Sequence, residues 1–514
     1  MHAGLSRRQP RFPEERDQFM KRILLGSVVT MSMLFAGALM YADDDSVQTD
    51  PGIRAIVKSV DASRIQTSVL TLEAFGTRNS CSTSAPAGRG VNAARDWIFS
   101  QFSAIPGLQV RLDPFVHGNC PTSPTFNVIT WLPGTGHPER LVIIGGHYDS
   151  RTINVLDATS DAPGANDSGA QSALVLETAR VLATRPHDAT LVFITFSGEE
   201  QGLFGSASIA ANLNRYFPNP QVVAMLNADI PGGDNTANGP AELQQFRLYS
   251  SGNPRETRST DPDGTPDNTS PQRGLMRFIG TWGSAYVPGM TMVPKLREDR
   301  PGRASDHRSF INHGNPAVRF METFECSPSP VDNSCGGPLP CPPPANIPAS
   351  CKDFNTSHQH SPFDQSKFVT PSYTARIAQV MIATAATLAR APGSPTQFAA
   401  AGSSSDSIKM SWQPPSDAAR VDHFVIAARA VTENFYRKRI SVPAEDTFRA
   451  VSPGELGFQH GDSFFISVAS VDERGHESLF AFPEMRCNAT ACLTPAGAPT
   501  PVTPPARDVE DEEE

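Results

Sequence analysis

Three absences narrow the field before any motif is read. None of the eight cysteines stands in a C-x-x-C pair, which argues against a thiolate zinc site. Basic charge is in short supply: 43 Lys and Arg face 53 Asp and Glu, a net charge of −10 with no basic stripe. That excludes nucleic acid as a partner. No internal repeat recurs along the chain. Proline is abundant, 46 residues, about twice ordinary usage. It gathers in loops and linkers and leaves room for globular cores.

With 514 residues the chain is long enough for two or three domains. Residues 1–42 read as a signal peptide region. Met20-Lys21-Arg22 precedes an uncharged apolar stretch from Ile23 to about Met40, followed by Ala42 and an acidic DDD. This is a charged segment, an apolar segment and a cleavage site after Ala42, with residues 1–19 an upstream extension. The alternative is an uncleaved membrane anchor, since the stretch is near the minimum spanning length. Export to an oxidising compartment, periplasm or cell exterior, makes the even cysteine count a disulfide framework. Cys81 is expected to pair with Cys120 and Cys487 with Cys492. Cys326, Cys335, Cys341 and Cys351 share one Pro-rich loop, and their pairing is left open.

Residues 43–390 alternate apolar runs of strand length with helical periodicity. The unit strand 141–146, helix 169–185, strand 190–196 is a β-α-β crossover. The expected fold class is therefore α/β, with a mostly parallel central sheet flanked by helices. Residues 50–75 read as helical. After a linker at 391–395, residues 396–486 alternate as a small all-β sandwich. Trp412 early and SFFISVASVDERGHES late resemble a fibronectin type III module. Residues 487–514 read as a Pro/Thr-rich and acidic tail.

The chemistry-bearing residues cluster between Gly145 and Asp229. The run LVII ends in GGHYDS, with His147 and Asp149. A loop, GANDSGA, holds Asp167. The run LVFI ends in FSGEEQG, with Glu199 and Glu200. The run VVAML ends in NAD, with Asp229. Open α/β sheets bind ligands at the carboxyl ends of their strands, which is where these groups fall. One histidine with several carboxylates and no cysteine suits Zn²⁺. Adjacent Glu199 and Glu200 allow one to bind metal and the other to act as a general base. Asp149 is placed to orient His147 through the other ring nitrogen. Singly, each motif is weak: H-x-D after a strand is commonly a surface loop, N-D a turn or helix cap, and Glu-Glu a solvated face.

Together, GGHYDS, GANDSGAQSALVLETARVLA, VFITFSGEEQGLFGS, LNAD and SDHRSF closely resemble the co-catalytic zinc aminopeptidases of metallopeptidase family 28, over about residues 50–390. The resemblance implies two Zn²⁺ per chain. His147 and Asp229 would bind one, Glu200 and a late histidine the other, and Asp167 would bridge them. Glu199 would be the catalytic base and Asp149 the orienter. His360, four residues before Asp364, is the expected late ligand, with His358 its competitor. His307 in SDHRSF lies near the site by resemblance or simply packs its loop. The implied function is a secreted aminopeptidase acting on peptides or proteins with a free N-terminus. A single-zinc glutaminyl cyclase, a carboxypeptidase on the same fold and a catalytically silent binding protein are the alternatives.

Overall fold

The structure, a computed structural model, describes residues 47–120, 124–233, 244–252, 269–299, 303–323, 358–402, 407–488 and 491–493. The signal-peptide reading and the four-cysteine loop lie outside the described residues. No helix among the described residues is long and apolar enough to cross a membrane.

The chain begins with two helices, α1 (Pro51–Lys58) and α2 (Ala62–Ala74). The single helical stretch expected over 50–75 is broken because Asp61 caps α2, accepting from the Ser63 amide. Asp50 caps α1 in the same way ahead of Pro51 at the first turn, where a missing N–H costs nothing. Helix α3 (Gly90–Ser103) precedes strands β1 (Gln109–Phe115), β2 (Thr125–Leu132) and β3 (His137–His147). Then come α4 (Gln171–Leu182), β4 (Ala189–Phe196), α5 (Phe204–Ala211), β5 (Gln221–Ala228) and β6 (Gln245–Tyr249). Helix α6 (Pro271–Tyr286), β7 (Thr291–Lys295), α7 (His307–Asn312), β8 (Ala317–Met321) and α8 (Pro371–Leu388) complete the unit.

The eight strands form one sheet in the order β1-β2-β4-β3-β5-β8-β6-β7. Four adjacent pairs are parallel and three antiparallel. The parallel strands β4, β3, β5 and β8 form the centre and carry the site; β1 and β2 add an antiparallel edge. Central parallel strands are covered on both faces, and all eight positions of β4 are buried. Side chains alternate between two cores. Val142 and Ile144 face the cluster that includes helices α1, α3, α4 and α8. Leu141 and Ile143 face a second cluster with Ile209, Phe217 and Phe310. From β3 the chain moves to β4 on one side and then to β5 on the other. This reversal opens a crevice at the carboxyl ends of β3 and β5.

The C-terminal strands are β9 (Thr396–Gly402), β10 (Ile408–Gln413), β11 (His423–Ala430), β12 (Lys438–Pro443), β13 (Phe448–Val451), β14 (Phe464–Val471), β15 (Met485–Cys487) and β16 (Cys492–Leu493). They form a three-stranded sheet, β13-β10-β9, and a five-stranded one, β12-β11-β14-β15-β16. All the pairings are antiparallel. Trp412, Phe424, Phe464 and Ile466 lie in their shared core. The pairing of β15 with β16 carries the second sheet beyond residue 486, closed by the Cys487–Cys492 disulfide. Cys81 and Cys120 are also joined.

Candidate metal centre and active site

His147 is the last residue of β3, and its ring is almost wholly buried. Its Nδ1 lies 3.1 Å from the backbone carbonyl of Asp149 and 3.5 Å from that residue's carboxylate. The ring is therefore oriented by Asp149, chiefly through its main chain. The Asp149 carboxylate instead accepts from the backbone amides of Glu199 and Glu200, at 3.4 and 3.2 Å. It ties the turn after β4 to the turn after β3.

GANDSGA does not simply start a helix. It folds as a kinked turn, Ala165–Ala170, with non-helical backbone at Asp167 and Ser168, before α4. Gly164 enters it with φ +52, and a Cβ there would meet the Asp167 carbonyl and Ser150 at 2.5 Å, so only glycine fits. Asp364 holds the turn, accepting from the amides of Asn166 and Asp167 at 2.7 and 2.9 Å. Burial pushes the Asp364 carboxyl up to about 8. Arg78, fully buried, donates to the carbonyls of Tyr148, Leu72, Pro163 and Gly164 and so ties the two loops together. Desolvation lowers its pKa to about 10.

All seven expected residues converge. His147 Nε2 lies 3.3 Å from Asp167 Oδ1 and 3.6 Å from Asp229 Oδ1. His360 Nε2 lies 3.2 Å from both Asp167 Oδ2 and Glu200 Oε2. Three groups of candidate ligands result, the triads His147–Asp167–Asp229 and Asp167–Glu200–His360 and the group His147–Glu199–Glu200, each with its ligand atoms within 4.8 Å of one another. Asp167 belongs to both of the first two triads. The His358 ring packs against Phe368, with centroids 3.9 Å apart, while His360 faces the carboxylates. His307 lies outside both triads, its Nε2 2.9 Å from the Glu298 carbonyl.

The electrostatics favour a cation. Glu200 Oε1 is buried with no hydrogen-bond partner, and Asp167 Oδ1 has only the His147 ring nitrogen 3.3 Å away, a costly state for carboxylates unless something positive satisfies them. Desolvation lowers the His360 pKa, but the charge of Glu200 and hydrogen bonds to Asp167 and Glu200 outweigh it, holding it at about 9. Desolvation likewise opposes the His147 charge, and Glu199, Asp149, Asp167 and Asp229 overcome it, raising it well above its ordinary value. The donor set, imidazole nitrogen and carboxylate oxygen, fits zinc. Another histidine–acid group, His137–Asp188–Asp417, fails the same test. Asp188 and Asp417 are paired with Arg420, and Asp417 also with Arg140.

Glu199 is in neither of the triads that share Asp167; it groups instead with His147 and Glu200 and lines the same cavity, of about 350 Å³. Desolvation raises its pKa well above the ordinary range; Glu200, Asp229 and Asp306 raise it further, while the His147 charge opposes them. A carboxyl in that state is suited to taking up a proton. Several site residues escape the motif reading. Arg151 donates to Glu200 Oε2 at 2.6 Å, Gln359 to Asp167 Oδ2 at 2.6 Å, and Arg319 lies 2.9 Å from Asp229 Oδ2. Arg319 had a signal: it is a charge inside the buried apolar strand β8, a place where charges occur only when paired. Arg151 and Gln359 stand beside motif residues, and nothing in their own sequence context marks them. A larger cavity, of about 760 Å³, lies at a seam lined by Asp50, Arg390, Arg420 and His476. Several of its charges pair among themselves, His476 and Arg390 with Asp50 and Arg420 with Asp188.

The profile of peptidase family M28 matches residues 127–385, which span the sheet's centre and both triads. The chain is 31% identical over 404 residues to a probable zinc metalloprotease of Leptosphaeria maculans, covering 76% of this chain and 88% of that one. It is 32% identical over 463 residues to a probable zinc metalloprotease of Pyricularia oryzae, covering 84% of each. Among solved structures it is similar to the LapA aminopeptidase of Legionella pneumophila (18% identity, TM-score 0.46, 68% of this chain and 75% of that one). Porphyromonas gingivalis glutaminyl cyclase is similar too (17% identity, TM-score 0.44, 63% and 97%). The profile match covers half the chain, and the relatives extend it over most of the remainder: the chain belongs to peptidase family M28.

Proposed function

We propose that the protein is an exported zinc aminopeptidase that removes residues from the free N-terminus of peptides. The observation that carries the reading is the pair of triads sharing Asp167, with Glu199 beside them, in reach of His147 and Glu200. His147 and Asp229 would hold one zinc, Glu200 and His360 the other, and Asp167 would bridge. Bound zinc supplies Lewis acidity, polarising a carbonyl and acidifying water. Glu199 accepts the proton of the attacking water and returns it to the leaving amine as the C–N bond breaks, ending ready for another cycle. Asp149 holds the Glu199 amide and the His147 ring in one frame. The acidic floor of the cavity favours the positive α-amine of an unblocked substrate. Export rests on the apolar stretch from Ile23 to about Met40, with its cleavage site after Ala42, and on the two disulfides.

The test is zinc content of the purified protein together with cleavage of aminoacyl anilides and their N-blocked counterparts. One zinc per triad and chelator-sensitive cleavage of unblocked substrates alone are expected. Glu199→Gln is expected to lower turnover about 10²–10⁴-fold with zinc content unchanged. One zinc with no hydrolysis would turn the reading towards a cyclase using Asp167, Glu200 and His360. N-terminal sequencing of exported protein, expected to begin after Ala42, checks the location.

A further inference from the structure

Gln201 directly follows Glu199 and Glu200, lines the same cavity and is almost wholly buried. Its Oε1 accepts from Ser80 Oγ, its Nε2 donates to the Val155 carbonyl at 3.0 Å, and its own carbonyl accepts from Asn119 Nδ2 at 3.1 Å. Ser80 and Asn119 belong to different loops, one after α2 and one after β1. Each stands next to a cysteine, Cys81 and Cys120, and these two are joined, with their Cα atoms 5.2 Å apart. The disulfide therefore ties together the two residues that grip Gln201. Asn79 extends the cluster. Its Oδ1 accepts from the Cys81 amide at 3.0 Å, and its Nδ2 donates to the same Val155 carbonyl at 2.9 Å. Val155 lies in the loop after β3 that also carries Arg151, whose Nε donates to Glu200. The segment Glu199–Gln201 is thus held twice. Asp149 accepts its first two amides, and the cross-linked loops hold its third residue. A proton acceptor and a metal ligand depend on such support, because a displacement of about 1 Å can cost about 100-fold in rate.

We propose that Gln201, clamped by the loops that the Cys81–Cys120 disulfide joins, is a positioning residue for Glu199 and Glu200. The disulfide is then part of the active-site architecture and not only a staple of the fold. The kinetic consequence rests on the aminopeptidase reading; the placement of the segment does not, and it is measured separately. The test compares the full chain with Cys81→Ser/Cys120→Ser and with Gln201→Met, using Cys487→Ser/Cys492→Ser as a control that loses a disulfide in the β-sandwich. Below the melting transition both site variants are expected to lose about tenfold or more in kcat, with KM much less affected. Both should also release zinc to a chelator faster, while the control keeps wild-type values. The effects should not add: removing the disulfide in Gln201→Met should cost less in kcat than removing it in wild type. Hydrogen exchange at the Glu199 and Glu200 amides, relative to β4, should quicken about tenfold in both site variants, a readout that needs neither zinc nor turnover. If the wild-type protein cleaves no unblocked substrate, the aminopeptidase reading fails, and exchange alone decides the clamp: faster supports it, unchanged overturns it. If the cysteine variant does not fold, Ser80→Ala and Gln201→Met carry the same readouts with the disulfide intact. Site variants that melt earlier but keep kcat, zinc retention and exchange at the segment overturn the proposal.

Discussion

At the scale of single residues, Arg319 shows how this site tolerates so many buried carboxylates. Its guanidinium bridges Asp229, 2.9 Å away, and Asp299, which accepts from Nη1 at 2.8 and 2.7 Å. All three side chains are almost wholly buried. Desolvation works against the Arg319 charge, and the two carboxylates overcome it, so its pKa is raised. Removing one partner of a buried ion pair leaves the other uncompensated, at about 3–5 kcal/mol. Arg319→Gln is expected to destabilise the protein by about that much in urea unfolding. It should also weaken zinc retention in chelator competition, because Asp229 loses the group that fixes its Oδ2. Arg319→Lys keeps the charge but not the fork and should recover only part of both losses. Full zinc retention in Arg319→Gln would show that Asp229 is positioned without it.

At the scale of elements, the strands that carry the site were legible because each is an apolar run ended by a glycine, a histidine or an acid. β3 stops at His147, β4 just before Gly198-Glu199-Glu200, and β5 just before Asp229. The long period of α8 was equally plain. Harder to read were features set by one side chain bonding to distant or local backbone. Asp61 splits a helical stretch, and Asp364 shapes the Asp167 turn from 197 residues further along the chain. His360 follows a long Pro- and Cys-rich stretch, in a turn with φ 56, and no periodicity leads to it; only the family resemblance did. The antiparallel pairings at the sheet's edges have no local signature, because partner choice is a long-range property. Helix packing gives a sharper test of the fold. A Cβ on Gly283 of α6 would meet Val380 Cγ1 of α8 at 2.9 Å. Gly283→Ala gains about 1 kcal/mol in helix propensity but overpacks the seam at about 1–3 kcal/mol. A net loss of roughly 0–2 kcal/mol is expected. In Gly283→Ala/Val380→Ala the two changes should relieve each other, giving a double-mutant coupling that is favourable. Purely additive effects would mean that the helices simply move apart.

At the scale of the whole molecule, the β-sandwich is built into the peptidase unit and is not merely tethered to it. Glu484, before β15, accepts from Arg277 of α6 at 2.6 Å, from Arg429 of β11 at 3.0 Å and from Tyr436 at 2.8 Å. The carboxylate is buried. A second tie joins His476, in the loop after β14, to Asp50 at the cap of α1, at 2.8 Å. Cutting the chain after residue 393 would strip Arg277 of its buried carboxylate partner and Asp50 of His476, so the isolated peptidase unit is expected to be less stable than the full chain. The charge part of this seam has a pH signature. Desolvation raises the Glu484 pKa, but Arg277 and Arg429 outweigh it and hold it at about 2, below an unfolded value of about 4.3. A carboxylate depressed in the folded state contributes its full stability above the unfolded value. It loses that contribution as pH falls through the folded one. Glu484→Gln should therefore cost about 3 kcal/mol near neutral pH, with the gap to wild type closing between about pH 4.3 and 2. Urea unfolding of both proteins across that range measures it. A gap that stays constant down to pH 2 would assign the loss to packing and hydrogen bonding at the seam, and the truncated unit would then be the better measure of what the sandwich contributes.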